Sequence, residues 1–243
     1  MKSKIIILAL MVITITACRK ERANVIPAPN LGDVNVQLKY NVDGKPLVFD
    51  TLIYTNAAGN LYSVSKVRYY LSRFRFYAGG AVKFSSDTII YADALNPQQV
   101  TFKNVPVGTY DSVSYNIGLD EVQNISNSLP ATLENINMGW PDMMGGGYHF
   151  LQLEGHWKDS TGNLGYAMHI GKNGFLVKAG TKKTIQVHGG KTLNLAMTMN
   201  INEWFTNPHM YDIDKDGVYS MGNAVLMKKL SENGGDVFDI SAL

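Results

Sequence analysis

A single cysteine in a chain of 243 residues excludes an internal disulfide and any thiolate metal cluster. Charge is sparse as well. Asp, Glu, Lys and Arg supply 17% of the residues and leave a net charge of +2, so the electrostatics point to neither nucleic acid nor an anionic lipid surface as a partner. Catalytic signatures are missing: there is no Gly-x-Ser-x-Gly elbow, no His-Glu-x-x-His and no phosphate-binding glycine loop. Carboxylates such as Asp120-Glu121 or Glu154 have no evident partner for hydrolysis. The expectation is a protein that is not an enzyme.

What is present begins with a leader. Met1-Lys2-Ser3-Lys4 is basic, and the apolar run from Ile5 to Ile15 is broken only by Thr14, too short for a mature membrane span, so residues 1–17 read as a signal peptide. Ile15-Thr16-Ala17-Cys18 resembles the lipobox of bacterial lipoproteins: small side chains suit the peptidase, and the Cys18 thiol is the nucleophile that accepts the diacylglycerol. Residues 18–32 are polar, carry Pro27 and Pro29 and show no periodicity, which fits a flexible tether between lipid and domain. Arg19 and Lys20 stand where an inner-membrane retention aspartate would be, so by resemblance the lipid is expected in the outer membrane, with the protein facing the periplasm or the exterior.

Residues 33–243 read as one domain. Val34, Val36, Leu38 and Tyr40 alternate with polar residues, as do Leu193, Leu195, Met197, Met199 and Ile201, and Ile185 with Val187: the period of strands with one buried face. Further strand-like runs lie at Lys66–Tyr77, Thr88–Ala92, Val100–Phe102, Tyr110–Gly118, Tyr148–Trp157 and Gly165–Ile170, separated by Gly, Asn, Asp and Pro. Many short strands without intervening helices predict an all-β antiparallel sandwich. In Val105-Pro106-Val107-Gly108-Thr109-Tyr110 a turn leads to a strand whose first aromatic can plug the sandwich edge. Only Gly222–Asn233 has helical spacing, in Ala224, Val225, Met227 and Leu230, with Gly234-Gly235 as a stop, which predicts one short C-terminal helix.

Four segments in order resemble the MbnP family of methanobactin-associated periplasmic proteins and its copper-repressible surface relatives. They are Tyr69-Tyr70-Leu71-Ser72; Gly108-Thr109-Tyr110-Asp111-Ser112-Val113 running on to Asn116-Ile117-Gly118-Leu119-Asp120; Met138-Gly139-Trp140 with Gly147-Tyr148-His149-Phe150 and Leu153-Glu154-Gly155; and Met168-His169-Ile170-Gly171. The resemblance implies an extracytoplasmic β-sandwich and copper, since a relative binds copper through histidines and an oxidised tryptophan. It carries over to Trp140 and His169. The family pattern usually has an aromatic residue or histidine two positions after that tryptophan, and this chain has Asp142.

Reduced copper prefers thioether sulfur and accepts imidazole. The loop from Met138 to His149 holds three methionines, a tryptophan and a histidine among four glycines that allow close backbone approach. His169 is therefore the leading copper ligand, helped by His149, Trp140, Met143 and Met144. A buried, hydrogen-bonded histidine at 149 and an anchoring aromatic at 140 account for the same residues without metal. Met197 and Met199 are expected in the core, and His156 and His188 in solvent.

A second cation pattern is Asp212-Ile213-Asp214-Lys215-Asp216-Gly217, with carboxylates at the first, third and fifth positions of a calcium loop and the turn glycine at the sixth. Asn223 replaces the closing bidentate glutamate. The same segment fits a polar turn before the last helix. The partners expected from sequence are a membrane through the lipid, with a metal-chelating small molecule or an envelope protein as further candidates. The alternative function is a surface lipoprotein that binds a glycan or peptide, with any metal purely structural.

Overall fold

The computed structural model describes residues 30–243, so the leader, Cys18 and most of the tether lie outside the described residues. The chain runs through β1 (Leu31–Val42), β2 (Lys45–Pro46), β3 (Tyr54–Thr55), β4 (Leu61–Tyr62), β5 (Lys66–Ala78), β6 (Ala81–Ser86) and β7 (Ile90–Asp93). It continues through β8 (Gln99–Pro106), β9 (Gly108–Ile117), helix α1 (Leu133–Asn137), β10 (His149–Lys158), β11 (Asn163–Gly171), β12 (Val177–Val187) and β13 (Thr192–Asn200). Helices α2 (Ile213–Asp216) and α3 (Ala224–Asn233) precede β14 (Phe238–Ala242).

These strands form the two sheets of a β-sandwich. The smaller is ordered β14-β13-β1-β2, with β8 also on β1; the larger follows β12-β9-β5-β10-β4-β3, with β6 and β7 on β5 and β11 on β10. All pairings between these strands are antiparallel except one: β1 lies parallel to β13. Its register sets Val34 opposite Leu193, Val36 opposite Leu195 and Leu38 opposite Met197, so the alternation read from sequence becomes a shared apolar face. The opposite face of the same pair is polar, and there Asn35 Nδ2 donates to Asn194 Oδ1 at 2.8 Å.

Aromatics fill the space between the sheets. Phe238 of the small sheet lies 5.8 Å, centroid to centroid, from both Tyr69 and Tyr115 of the large one, and Phe102 lies 4.8 Å from Phe74. Burying each such ring stabilises by about 1.5–3 kcal/mol. Met197 and Met199 are in this core, while His156 and His188 are exposed. The turn before β9 behaves as its sequence implies: Tyr110 is buried and its hydroxyl donates to the Pro106 carbonyl at 2.6 Å, fastening the strand to the turn that starts it.

Three features depart from the sequence reading. β1 begins at Leu31, inside the segment read as tether. β6 was not expected; its residues are largely exposed and it pairs only at the outer part of β5, so no buried face imposes an alternation on it. The single-turn helices α1 and α2 were also unforeseen, being too short to show a helical period. The late helix α3 is present, capped by the Asn223 side chain, which accepts from the N–H groups of Val225 and Leu226, and it buries Leu226, Met227 and Leu230.

Candidate functional site

The loop between α1 and β10 is closed at its base by two reciprocal backbone bonds, His149 N–H to Met138 O at 2.7 Å and Trp140 N–H to Gly147 O at 2.9 Å. Gly146 and Gly147 have φ of +67° and +87°, and a Cβ there would fall 2.5 Å from Ser126 Oγ and 2.4 Å from Asn124 Oδ1 respectively. Only glycine fits both constraints. Ser126 Oγ accepts from Gly147 N–H at 2.8 Å and donates to Asp142 Oδ1 at 2.9 Å. Asp142, the residue that departs from the family pattern, thus braces the loop.

Trp140, only 3% exposed, is pressed by this loop against Gly171 and against His149, its ring centroid 4.8 Å from the imidazole. His149 opens β10 and His169 lies on β11. The two strands pair with Gln152 opposite His169 and His149 opposite Gly171, with an irregularity just after His149. The shift re-aims the first histidine. The two rings meet edge to face, with centroids 5.0 Å apart. Trp140, His149 and His169, from separate parts of the chain, are therefore one cluster.

Each imidazole has one nitrogen committed. His149 Nδ1 lies 3.2 Å from the Met138 carbonyl, which holds the proton on that nitrogen and leaves Nε2 as the lone-pair end. Burial, reinforced by the neighbouring His169, pushes its pKa down to about 4, so the ring is neutral at physiological pH. His169 Nε2 donates to Glu154 Oε1 at 2.9 Å, and its Nδ1 is buried with no hydrogen-bond partner. The hydrogen bond from His169, supported by the Lys66 ammonium 2.7 Å from Oε2, holds the Glu154 carboxyl down at about 2. A carboxylate behind a histidine whose other nitrogen is free is the arrangement that orients an imidazole for a metal ion.

The far side of His169 is covered by residues 218–220, which add to the edge of β11. Ala167 N–H donates to Val218 O at 2.8 Å, and Ser220 Oγ both accepts from His169 N–H and donates to His169 O, each at 2.7 Å. Tyr219 is thereby laid against His169, its centroid 6.2 Å from the imidazole, while remaining 51% exposed.

The methionines divide. Met143 is 94% exposed and takes no part in the cluster, whereas Met144 is half-buried and its carbonyl accepts from Trp140 Nε1 at 3.3 Å. Of the three aspartates of the calcium-like segment, Asp212 is the N-cap of α2. Asp212 accepts from the N–H groups of Asp214 and Lys215 and pairs with Lys215; Asp216 accepts from Asp212 N–H and from Lys229; Asp214 is exposed. Among the described residues no group of three or more His, Cys, Asp or Glu side chains is gathered to hold a metal ion. The roles of Glu154, Tyr219 and Ser220 were not read from sequence. They depend on strand register and on an edge addition, which spacing alone does not reveal.

This architecture is an all-β sandwich carrying a buried imidazole pair beneath a tryptophan, with a carboxylate behind one ring. The MbnP family profile matches residues 31–223, and the chain belongs to that family. Among solved structures it is similar to MbnP from Methylosinus trichosporium, at 13% identity and a TM-score of 0.55, over 86% of this chain and 98% of that one; at this identity the likeness shows the fold alone. No curated protein matches.

Proposed function

We propose that this protein binds and handles copper in its cuprous form, with His149 Nε2 and His169 Nδ1 as ligands and Trp140 as the wall of the site. The observation that carries the reading is the buried, unpartnered Nδ1 of His169, set beside the imidazole of His149. A buried nitrogen lone pair without a donor is costly unless something else satisfies it. Two imidazole nitrogens beside a tryptophan suit a soft monovalent cation better than a hard divalent one, which would need more oxygen ligands. Glu154 fixes the His169 tautomer and Met138 fixes that of His149. No catalytic step is part of this reading.

We further propose that the protein works outside the cytoplasm, anchored in the outer membrane through lipid on Cys18. The leader and lipobox support this. Among the described residues no helix is long and apolar enough to cross a membrane.

The test is a cuprous titration of the mature domain against bicinchoninate. One equivalent of copper should bind to the unaltered protein, and H149A and H169A should each lose it. Unchanged affinity in H169A would end the assignment.

A second reading, glycan or peptide binding, is favoured by a cavity of about 680 Å³ lined by Tyr70, Tyr91, Arg68, Asn96, Gln98 and Asn135. A glycan and peptide screen, with Y91A as the control variant, separates it from the copper reading.

A further inference from the structure

Two methionines lie beside the residues that cover the imidazole pair. Tyr219, which lies on His169, donates its hydroxyl hydrogen to Met221 Sδ at 3.0 Å. Gly222 follows with φ +82°, and the Met144 methyl lies so close that a Cβ on Gly222 would fall 3.0 Å from Met144 Cε. The two side chains come from different segments, the glycine-rich loop and the turn before α3, and both are half-buried. Each is also tied to the cluster: Met144 through the bond from Trp140 Nε1 to its carbonyl, and Met221 through Tyr219.

We propose that Met144 and Met221 form a thioether vestibule, which takes up a cuprous ion at the surface and passes it to His169 and His149. This rests on the copper reading above. Thioethers are neutral, soft donors that hold copper(I) without a deprotonation step. A hydrogen bond from Tyr219 occupies one lone pair of Met221 sulfur and leaves the second for the ion. The transfer is an exchange of ligands: a copper–sulfur bond breaks as a copper–nitrogen bond forms at His169 Nδ1. Copper remains cuprous throughout. Any proton on Nδ1 goes to solvent as the copper–nitrogen bond forms, while the Nε2 proton stays toward Glu154.

The experiment follows the stopped-flow uptake of cuprous ion, supplied as its bicinchoninate complex, by the mature protein and by the M144L/M221L variant, in which leucine keeps the packing volume. Uptake should slow by about tenfold or more while the final affinity stays within about twofold, because the thioethers act on the path and not at the destination. M210L, which alters an exposed methionine elsewhere, should leave the rate unchanged. In H149A/H169A, X-ray absorption should show copper held by sulfur, and that signal should vanish once M144L and M221L are added. An uptake rate in M144L/M221L equal to that of the unaltered protein overturns the vestibule while leaving the imidazole site standing. An equal slowing in M210L overturns it too. If the unaltered protein takes up no copper, both readings fall together, and the titration of the unaltered protein identifies that case.

Discussion

Gly171 and Trp140 compete for the same space: a Cβ built on Gly171 would fall 2.3 Å from Trp140 Cε3, well inside contact distance. Because Gly171 also stands opposite His149 across the β10–β11 pair, any side chain there moves the tryptophan, the histidine or both. G171A should cost about 1–3 kcal/mol by overpacking. Urea denaturation would show this as a lower midpoint at unchanged slope.

Acid should weaken the fold in two stages. Unfolded, His149 titrates at its ordinary 6.5; folded, at about 4, so the unfolded state takes up the proton first and stability falls as pH drops through that window. A shift of this size corresponds to on the order of 3 kcal/mol. Glu154 goes from its ordinary 4.5 to about 2, which adds a second loss that begins only below 4.5. Unfolding free energies at a series of pH values should fall from neutrality toward pH 4.5, and H149F should flatten that first stage.

Removing the carboxylate behind His169 separates orientation from ligation. In E154L the imidazole loses the acceptor that fixes its proton on Nε2, and copper(I) affinity should fall by about 10–100-fold. Competition against a chelator measures the loss. An unchanged affinity would remove Glu154 from the site.

The bond from Tyr110 to the Pro106 carbonyl can be isolated by deleting one oxygen. Y110F keeps the ring and should cost about 0.5–1.5 kcal/mol, the ordinary worth of such a bond, whereas Y110A should cost about 3–5 kcal/mol through the cavity it leaves. Thermal or urea unfolding distinguishes the two.

For Asp212 the structure points to capping. D212A should destabilise by about 1 kcal/mol, the usual value of an N-cap, to the same extent in calcium and in chelator. A loss that appears only in calcium would restore the cation loop.

Legibility from sequence followed burial. The strands around the core were readable because one face of each is apolar: Val34 to Tyr40 and Leu193 to Met199 give their period directly, and the structure sets them side by side. The exposed β6 and the five-residue α1 gave no such signal; Leu133 and Ile136 of α1 are exposed and so obey no inward spacing. At the site, Trp140 and His169 could be named from motif resemblance and His149 from the chemistry of the loop, but their convergence depends on a strand irregularity after His149 and on the glycine-rich loop folding back. Met143 and Met144 were indistinguishable as neighbours in sequence. A short 3₁₀ turn over Asp142–Met144 leaves the first in solvent and holds the second against Gly222. The aspartate triplet could not be resolved from sequence because a helix cap and a calcium loop draw on the same carboxylates and turn glycine.

The parallel contact of β1 with β13 also governs timing. β1 is the first described strand; the two-residue β2 joins its end at once, but its long partners are β8, which comes just before mid-chain, and β13, which lies near the end. Contacts so distant along the polymer pay a large loop-closure entropy before any reward, which slows folding. During synthesis from the N-terminal end, the side of this apolar strand that β13 covers stays open until most of the polypeptide has emerged. Such a strand needs shielding from aggregation in the interval.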